Sequence, residues 1–353
     1  MKNKWVQIGL SVASLALAAT LVRFLPQIVE ALTGQRVSWT QIGAQFAKLS
    51  WQMIALMAAV WLASLLAYTF VLTSSLPGLT HPQALTLNAG GSAVSNLFPF
   101  GGAVGVAMTF AMTKGWGFPI RAVAVSTLAS GIWNTLFRFL LPAVGIVGLL
   151  ASGQRLSPAV TNAAWVGVLS ILVLIAVVTV ALYWDRAAAV LGRALDSVAR
   201  LLPGKVRPAE HTLSQSLEKL RADTSDVVRH RWPGMTLGMI FFLGFQWLIL
   251  VCCLQATGAY PGLAQSIAAF ALSRVLTTAV VTPSGTGIME AGTIGALVYF
   301  GAPLDSASAA ALLFGFWTYT VEIPFGGLAL GAWALLRRRE NAASAPEKEP
   351  ISR

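Results

Sequence analysis

Long apolar runs, separated by short stretches that hold nearly all of the charge, decide what this chain can become. An apolar run of about 18 residues or more reads as a transmembrane helix, because about 20 residues cross the hydrocarbon core of a bilayer. Such runs lie at 5–22, 50–74, 120–150, 159–183, 233–257 and 303–336. The expected fold class is therefore all-α, a polytopic integral membrane protein. Composition agrees: 56% of residues are hydrophobic and 10% charged, whereas a soluble domain carries about 25% charge.

Two further apolar regions, 82–118 and 263–301, are broken in the middle. The first breaks at Pro99-Phe100-Gly101-Gly102 and the second at Pro283-Ser284-Gly285-Thr286-Gly287. Proline removes a donor and clashes inside a helix, and glycine loosens the backbone. Each region reads as two short helices joined by a turn, either a re-entrant hairpin or two spans. Both choices give an even number of crossings.

The charge excess of +11 belongs to loops flanking spans and gives no reason to expect nucleic acid. Nine Lys or Arg residues fall in 184–232, Arg337-Arg338-Arg339 follows the last run, and Lys2 and Lys4 precede the first. Threading the spans with both termini cytoplasmic places all three clusters inside, as the positive-inside rule asks. The first run follows a basic head as in a signal peptide, but without a convincing cleavage site it is expected to be retained. Cys252 and Cys253 are helix neighbours that face apart and are not expected to pair. Arg186, Arg193 and Arg200 recur every seven residues, as in a helix lying on anionic headgroups or a solvated loop helix.

A repeat at an offset of 184 residues runs through the chain. Pro77-Gly78 matches Pro261-Gly262, Pro99 and Gly101 match Pro283 and Gly285, Gly117 and Pro119 match Gly301 and Pro303, and Gly131 and Trp133 match Gly315 and Trp317. The expected organisation is one transmembrane domain over 1–336. It holds repeat one at about 50–141, a linker span and cytoplasmic amphipathic segment over 151–232, and repeat two at about 234–325. A disordered cytoplasmic tail covers 337–353. On the threading above the two units run in opposite directions, the layout of many secondary transporters with a midplane site.

Arg138 and Glu322 occupy equivalent positions in the repeat and fall near the centres of their spans. A charge at that depth costs at least about 2.5 kcal/mol and faces a partner or a cavity. The reading is either a charged pair lining a path, with Arg138 as a ligand for lipid phosphate, or a structural ion pair. Asn134 and Thr318 share those faces one turn earlier. Trp133 and Trp317 read as packing or boundary residues. Glu290 follows the second break and Arg274 precedes it, so they pair across the hairpin or Arg274 reaches the interface. Gln246 is a polar group inside a span. The hairpin tips, with Asn96, Pro99, Gly101, Gly102, Pro283, Ser284, Gly285 and Gly287, place helix N-termini where unpaired N–H groups attract anions, or serve close packing alone.

No metal-ligand cluster, H-E-x-x-H or nucleotide-binding motif is present, and no histidine falls inside a span to activate Ser130 or Ser284. Neither an enzyme nor a cofactor is expected.

Asn96-Leu97-Phe98-Pro99-Phe100-Gly101-Gly102-Ala103-Val104-Gly105, followed by Pro283-Ser284-Gly285-Thr286-Gly287-Ile288-Met289-Glu290, resembles the lysylphosphatidylglycerol synthase transmembrane-region family. The second family motif commonly reads P-x-P-G-G-x-G-x-x-E. Pro283, Gly285, Gly287 and Glu290 match it, while Val281 and Ser284 depart from it. The resemblance covers roughly 5–336. It implies a lipid flippase or transporter moving an anionic or aminoacylated phospholipid across the bacterial cytoplasmic membrane. Membrane lipids are then the partners, with room for a homo-oligomer or a partner enzyme that supplies the modified lipid. Fused relatives carry a soluble aminoacyl-transferase domain; these 353 residues hold none, so lipid synthesis is not expected. A solute or ion transporter and a non-transporting scaffold subunit are the alternatives on the same architecture.

Overall fold

The computed structural model describes residues 23–97, 101–153, 212–277 and 285–343, with residues 19–20 and isolated helical positions at 162, 165, 169, 173 and 176. The expected first span, the in-plane helix near Arg193, and the tip residues Pro99, Pro283 and Ser284 lie outside the described residues. The described residues form helices and connections, with no strand among them.

Two short helices come first, α1 (Leu25–Thr33) and α2 (Trp39–Phe46). The apolar run expected at 50–74 is α3 (Trp51–Ser75), started by Ser50, whose side chain accepts from the Met53 N–H. The first broken region is α4 (His81–Leu97) and α5 (Gly101–Gly115), and α6 (Ile120–Ala151) follows. The second half opens with α7 (Thr212–Thr257), then the hairpin α8 (Leu263–Leu276) and α9 (Ile288–Tyr299), then α10 (Leu304–Gly315). A π-helical turn, Phe316–Thr320, joins α10 to α11 (Glu322–Ala343).

Over 212–232 the charged segment forms the first part of α7, which continues through Pro233. The tail expected from 337 onward is helical as far as Ala343. Apolar length is the direct signature of a membrane protein here: α3, α6, α7 and the α10–α11 run each exceed what a bilayer requires. The protein is a multi-pass membrane protein.

The hairpin arms answer the open question about the broken regions. At 1.5 Å per residue, α8 and α9 extend about 21 and 18 Å, short of the roughly 30 Å hydrocarbon core. In the first hairpin, Leu76 and Leu79 cluster with Met112, Trp116 and Phe118. Its two outer ends thus lie together, beside the end of α3, and the hairpin enters and leaves on one side. Arg337 stacks on Trp333, 5.5 Å from the ring centroid, and lies against Gly115 at that same end. At the opposite end α1 packs on α9 and α2 on α10. There Gln45 Nε2 donates to Asp305 Oδ2 over 2.5 Å.

The matched breakers adopt matched conformations. Gly117 and Gly301 have φ of 85° and 90°, and Gly78 and Gly262 of 91° and 121°. The N–H of Phe118 closes on the Thr113 carbonyl as that of Ala302 closes on Leu297. Pro119 and Pro303 then open the next helix at φ −62° and −59°. Packing is reciprocal: α4 lies on α11, and its counterpart α8 lies on α6. The largest helix pair, α3 with α7, crosses antiparallel. Gly238 meets Val71, Gly234 meets Ser74, and the Tyr68 ring lies 4.8 Å from Phe242. The glycines matter there, because a Cβ on Gly238 would come within 2.9 Å of the Val71 backbone N.

Candidate functional site: a cationic cavity between the halves

Five of the six side chains expected along a substrate path meet in one cavity of about 600 Å³, Glu290 being the exception. Asn134 and Arg138 reach it from α6, Arg274 from α8, Thr318 from the π turn and Glu322 from α11. Gln246 of α7 and Gly102 of α5 also line it. From this charged centre the cavity runs along α6 past Ser130 and Thr127 to Val123, and along α4 to Leu79 beyond its N-terminus. Its lower end is therefore the end of the fold where the first hairpin enters.

Arg274 is 5% exposed. Its Nη1 donates to Gln246 Oε1 at 3.0 Å and its Nη2 to the Tyr319 hydroxyl at 3.4 Å. The guanidinium carbon lies 5.4 Å from the Phe270 centroid and 5.1 Å from that of Phe314. Ring faces attract a cation, more so where water is excluded. The expected pairing of Arg274 with Glu290 across the hairpin is not formed. Glu290 instead turns back onto its own helix and accepts from the Gly287 N–H at 2.6 Å. It is 4% exposed, abuts Gly315 and does not line the cavity. A carboxylate three residues into a helix caps a free N–H there and suits the positive helix end, so Glu290 is a capping residue.

Arg138 and Glu322 line the same cavity but do not form the expected charged pair. Arg138 donates from Nε to Asn134 Oδ1 at 2.8 Å and from Nη1 to Thr277 Oγ1 at 3.1 Å. Glu322 accepts from Asn96 Nδ2 at 3.2 Å, and Asn96 also reaches the Tyr319 carbonyl. The π turn gives a physical reason. An i→i+5 turn is wound more slowly than an α turn, so Glu322 loses the azimuth that Arg138 holds on its unbroken helix. The Val321 N–H bonds to the Phe316 carbonyl, and Pro324 has no N–H with which to restore the α ladder.

The outcome is two guanidiniums at one cavity with neutral hydrogen-bond partners. Among the described residues no carboxylate lies within 4.0 Å of either. Tyr319, Thr277 and Tyr68 were not expected at the site. Tyr319 sits one residue after Thr318, and only the π turn brings it inward. The Ser95–Gly101 contact fixes the first tip. Ser95 Oγ donates to the Gly101 carbonyl at 3.0 Å, and a Cβ on Gly101 would overlap the Ser95 carbonyl. Gly285 and Gly287 hold φ of 73° and 88° at the second tip. Trp317 is in the core, and Trp133 Nε1 donates to Thr236 Oγ1 at 3.0 Å. No group of three metal-ligating side chains occurs among the described residues.

No curated protein matches the chain. The family profile described as Lysylphosphatidylglycerol synthase TM region matches residues 10–326, which include every cavity-lining residue named above. With helices, breaks and cavity all inside the matched region, the chain belongs to the lysylphosphatidylglycerol synthase transmembrane-region family.

Proposed function

We propose that the protein is a lipid flippase or transporter that carries an anionic or aminoacylated phospholipid across the bacterial cytoplasmic membrane. One observation carries the reading: Arg138 and Arg274 present guanidiniums to one cavity with no carboxylate within 4.0 Å of either among the described residues, the Glu322 carboxylate of the same cavity being held by Asn96. A buried cation needs a counter-charge, and a planar guanidinium matches phosphate oxygens. A phosphate in the cavity supplies that charge. Family membership supports a lipid as its source, because the family comprises the flippase-like membrane region.

The mechanism follows from the two halves. Equivalent helices α3 and α7 cross antiparallel, so the operation relating the halves reverses their direction through the membrane. This supports an inverted repeat, with hairpins entering from opposite faces. The cavity is lined on α6 by Val123, Ser126, Thr127 and Ser130, while the counterpart positions on α10, Ala307, Ala310, Ala311 and Phe314, lie in the packed core. Opening one side and closing the other would exchange these two states around the charged centre. The basic Arg337 end is assigned to the cytoplasm on the positive-inside rule, and both termini with it. The residues act by binding and screening charge, without covalent chemistry or a cofactor.

Transbilayer movement in proteoliposomes of the purified protein tests this. Headgroup accessibility of labelled anionic phospholipid is followed for wild type, Arg138→Ala and Arg274→Ala. Fast movement in wild type that is lost in the folded variants is expected. No movement of any lipid by folded protein, with a proton or sodium gradient applied, would sink the reading in favour of a solute transporter or scaffold.

A further inference from the structure

Binding by the two guanidiniums leaves one charged group of the cavity without a task. Glu322 lines the same space as Arg138 and Arg274, yet its hydrogen-bond partners are neutral: Asn96 Nδ2 donates to it at 3.2 Å, and Ser92 of α4 is the other. Among the described residues no Lys, Arg or His nitrogen lies within 4.0 Å of its carboxylate. A guanidinium in contact holds a carboxylate in its charged form, whereas neutral partners serve either form. The Asn96 N–H suits a carboxylate oxygen and an acid carbonyl alike. An acid O–H needs an acceptor, and Asn88, Ser92 and Ser95 line the cavity at helical spacing on α4, the helix that packs against α11. Ser95 has already given its proton to the Gly101 carbonyl at 3.0 Å, so lone pairs remain on its oxygen.

The other titratable groups that line the cavity around Glu322 are Arg274 from α8, Arg138 from α6, Tyr319 from the π turn and Tyr68 from α3. A guanidinium keeps its proton throughout, and a phenol ordinarily releases one only at about pH 10. His81 and Glu290 are not among the lining residues: His81 bonds to Thr69, and Glu290 caps α9. Among the described lining residues, Glu322 is therefore the group suited to exchange a proton, and intramembrane carboxyls facing a cavity serve as proton sites in pumps and transporters.

We infer that Glu322 is a proton-binding site that couples the movement of an anionic headgroup to that of one proton in the same direction. This deepens the lipid-transport reading and rests on it. In the empty cavity the Glu322 carboxylate is the counter-charge for two guanidiniums that it does not touch. A phosphodiester at the guanidiniums takes over that role, and two anions then share one cavity. Like charges oppose each other's ionised form, and a proton on Glu322 removes the conflict. That proton comes from water on the side to which the cavity is open, adds to a carboxylate oxygen, and leaves to water on the other side with the lipid. Empty or loaded, the cavity then holds two cations and one anion, so both forms cross the exchange between halves with the same charge. An aminoacylated headgroup brings an ammonium that takes the place of the proton beside Glu322.

The test reconstitutes the full chain with labelled phosphatidylglycerol, imposes a pH gradient with the membrane potential clamped, and uses protein-free liposomes as the baseline. A gradient of about one pH unit should hold roughly tenfold more labelled lipid in the leaflet facing the alkaline side. Glu322→Gln, which keeps an oxygen for Asn96, should lose that response. A wild-type distribution that ignores the gradient while lipid still moves would overturn the inference and leave lipid transport standing. A folded Glu322→Gln protein that responds as wild type does would overturn the assignment to Glu322. Calorimetry in detergent, in two buffers of different ionisation enthalpy, covers a misfolded variant or absence of lipid movement. Wild-type protein should take up about one proton with each glycerophosphoglycerol bound. Equal heats in the two buffers, or no binding, overturn the inference. Proton-linked binding without lipid movement identifies a soluble phosphodiester as the anion carried.

Discussion

Arg138 Nη1 donates to Thr277 Oγ1 at 3.1 Å, and Thr277 passes its own proton to the Arg274 carbonyl at 2.7 Å. One hydroxyl at the end of α8 thus ties α6 to the arm that carries the second guanidinium. Two like charges are held at one cavity by neutral groups.

Loss of either guanidinium should therefore disable anion handling more than folding. Arg138→Ala and Arg274→Ala are expected to slow transport by tenfold or more, as the loss of a charge-assisted bond of about 1.5–3 kcal/mol implies. Arg274→Lys should also fail to restore the rate, because an ammonium cannot span Gln246 and Tyr319 as the planar fork does. Initial rates in proteoliposomes, beside thermal unfolding of the same variants in detergent, check this.

Glu290 should behave as a fold residue. Glu290→Ala leaves the Gly287 N–H without its partner and is expected to destabilise the protein by about 1–3 kcal/mol. Glu290→Gln keeps an oxygen at that place and should retain most of the stability. Thermal unfolding measures both; equal stability of Glu290→Ala and wild type would contradict the capping role.

Close helix approach makes two glycines unequal. A Cβ on Gly326 would overlap the Ala89 carbonyl of α4, whereas one on Gly295 meets nothing within 4 Å. Gly326→Ala should cost about 1–3 kcal/mol as an overpacked contact. Gly295→Ala should be neutral or gain up to about 1 kcal/mol from helix propensity. Unfolding midpoints of the two variants give the comparison directly.

Labelling decides the direction of the hairpins. With Cys252 and Cys253 replaced by alanine, Thr80→Cys should react with an impermeant thiol reagent from the face bearing Arg337. Tyr299→Cys should react from the opposite face. Both positions are exposed at the outer ends of their hairpins. Labelling of both from one face would remove the inverted arrangement.

The spans were legible because apolar length is a one-dimensional signal. The run expected at 50–74 is Trp51–Ser75, and that at 120–150 is Ile120–Ala151. The hairpin breaks were legible because proline and glycine act locally. Arg138, Asn134, Arg274, Thr318 and Glu322 were found by the cost of polar groups at depth, and four helical segments bring them to one cavity. Their partners were not legible, since hydrogen bonds between elements leave no periodicity. The π turn hid Tyr319 and separated Glu322 from Arg138. Glu290 did have a local signal, the three-residue spacing to Gly287 at a helix start, but the intramembrane charge argument outweighed it. The run expected at 233–257 is the apolar part of a longer helix, because the charged residues before Pro233 also take helical form.

That continuity gives α7 a mechanical character. Its 46 residues extend about 69 Å, more than twice the roughly 30 Å hydrocarbon core. Thr212 stands about 30 Å from Pro233, so a tilt of about 5° at the crossing with α3 would swing that end by nearly 3 Å. Arg121 holds this rod to the start of α6, gripping both carboxylate oxygens of Asp223 at 2.6 and 2.9 Å. The rod is a lever with its fulcrum beside the cavity, and a small rotation between the halves becomes a displacement readable from the aqueous side.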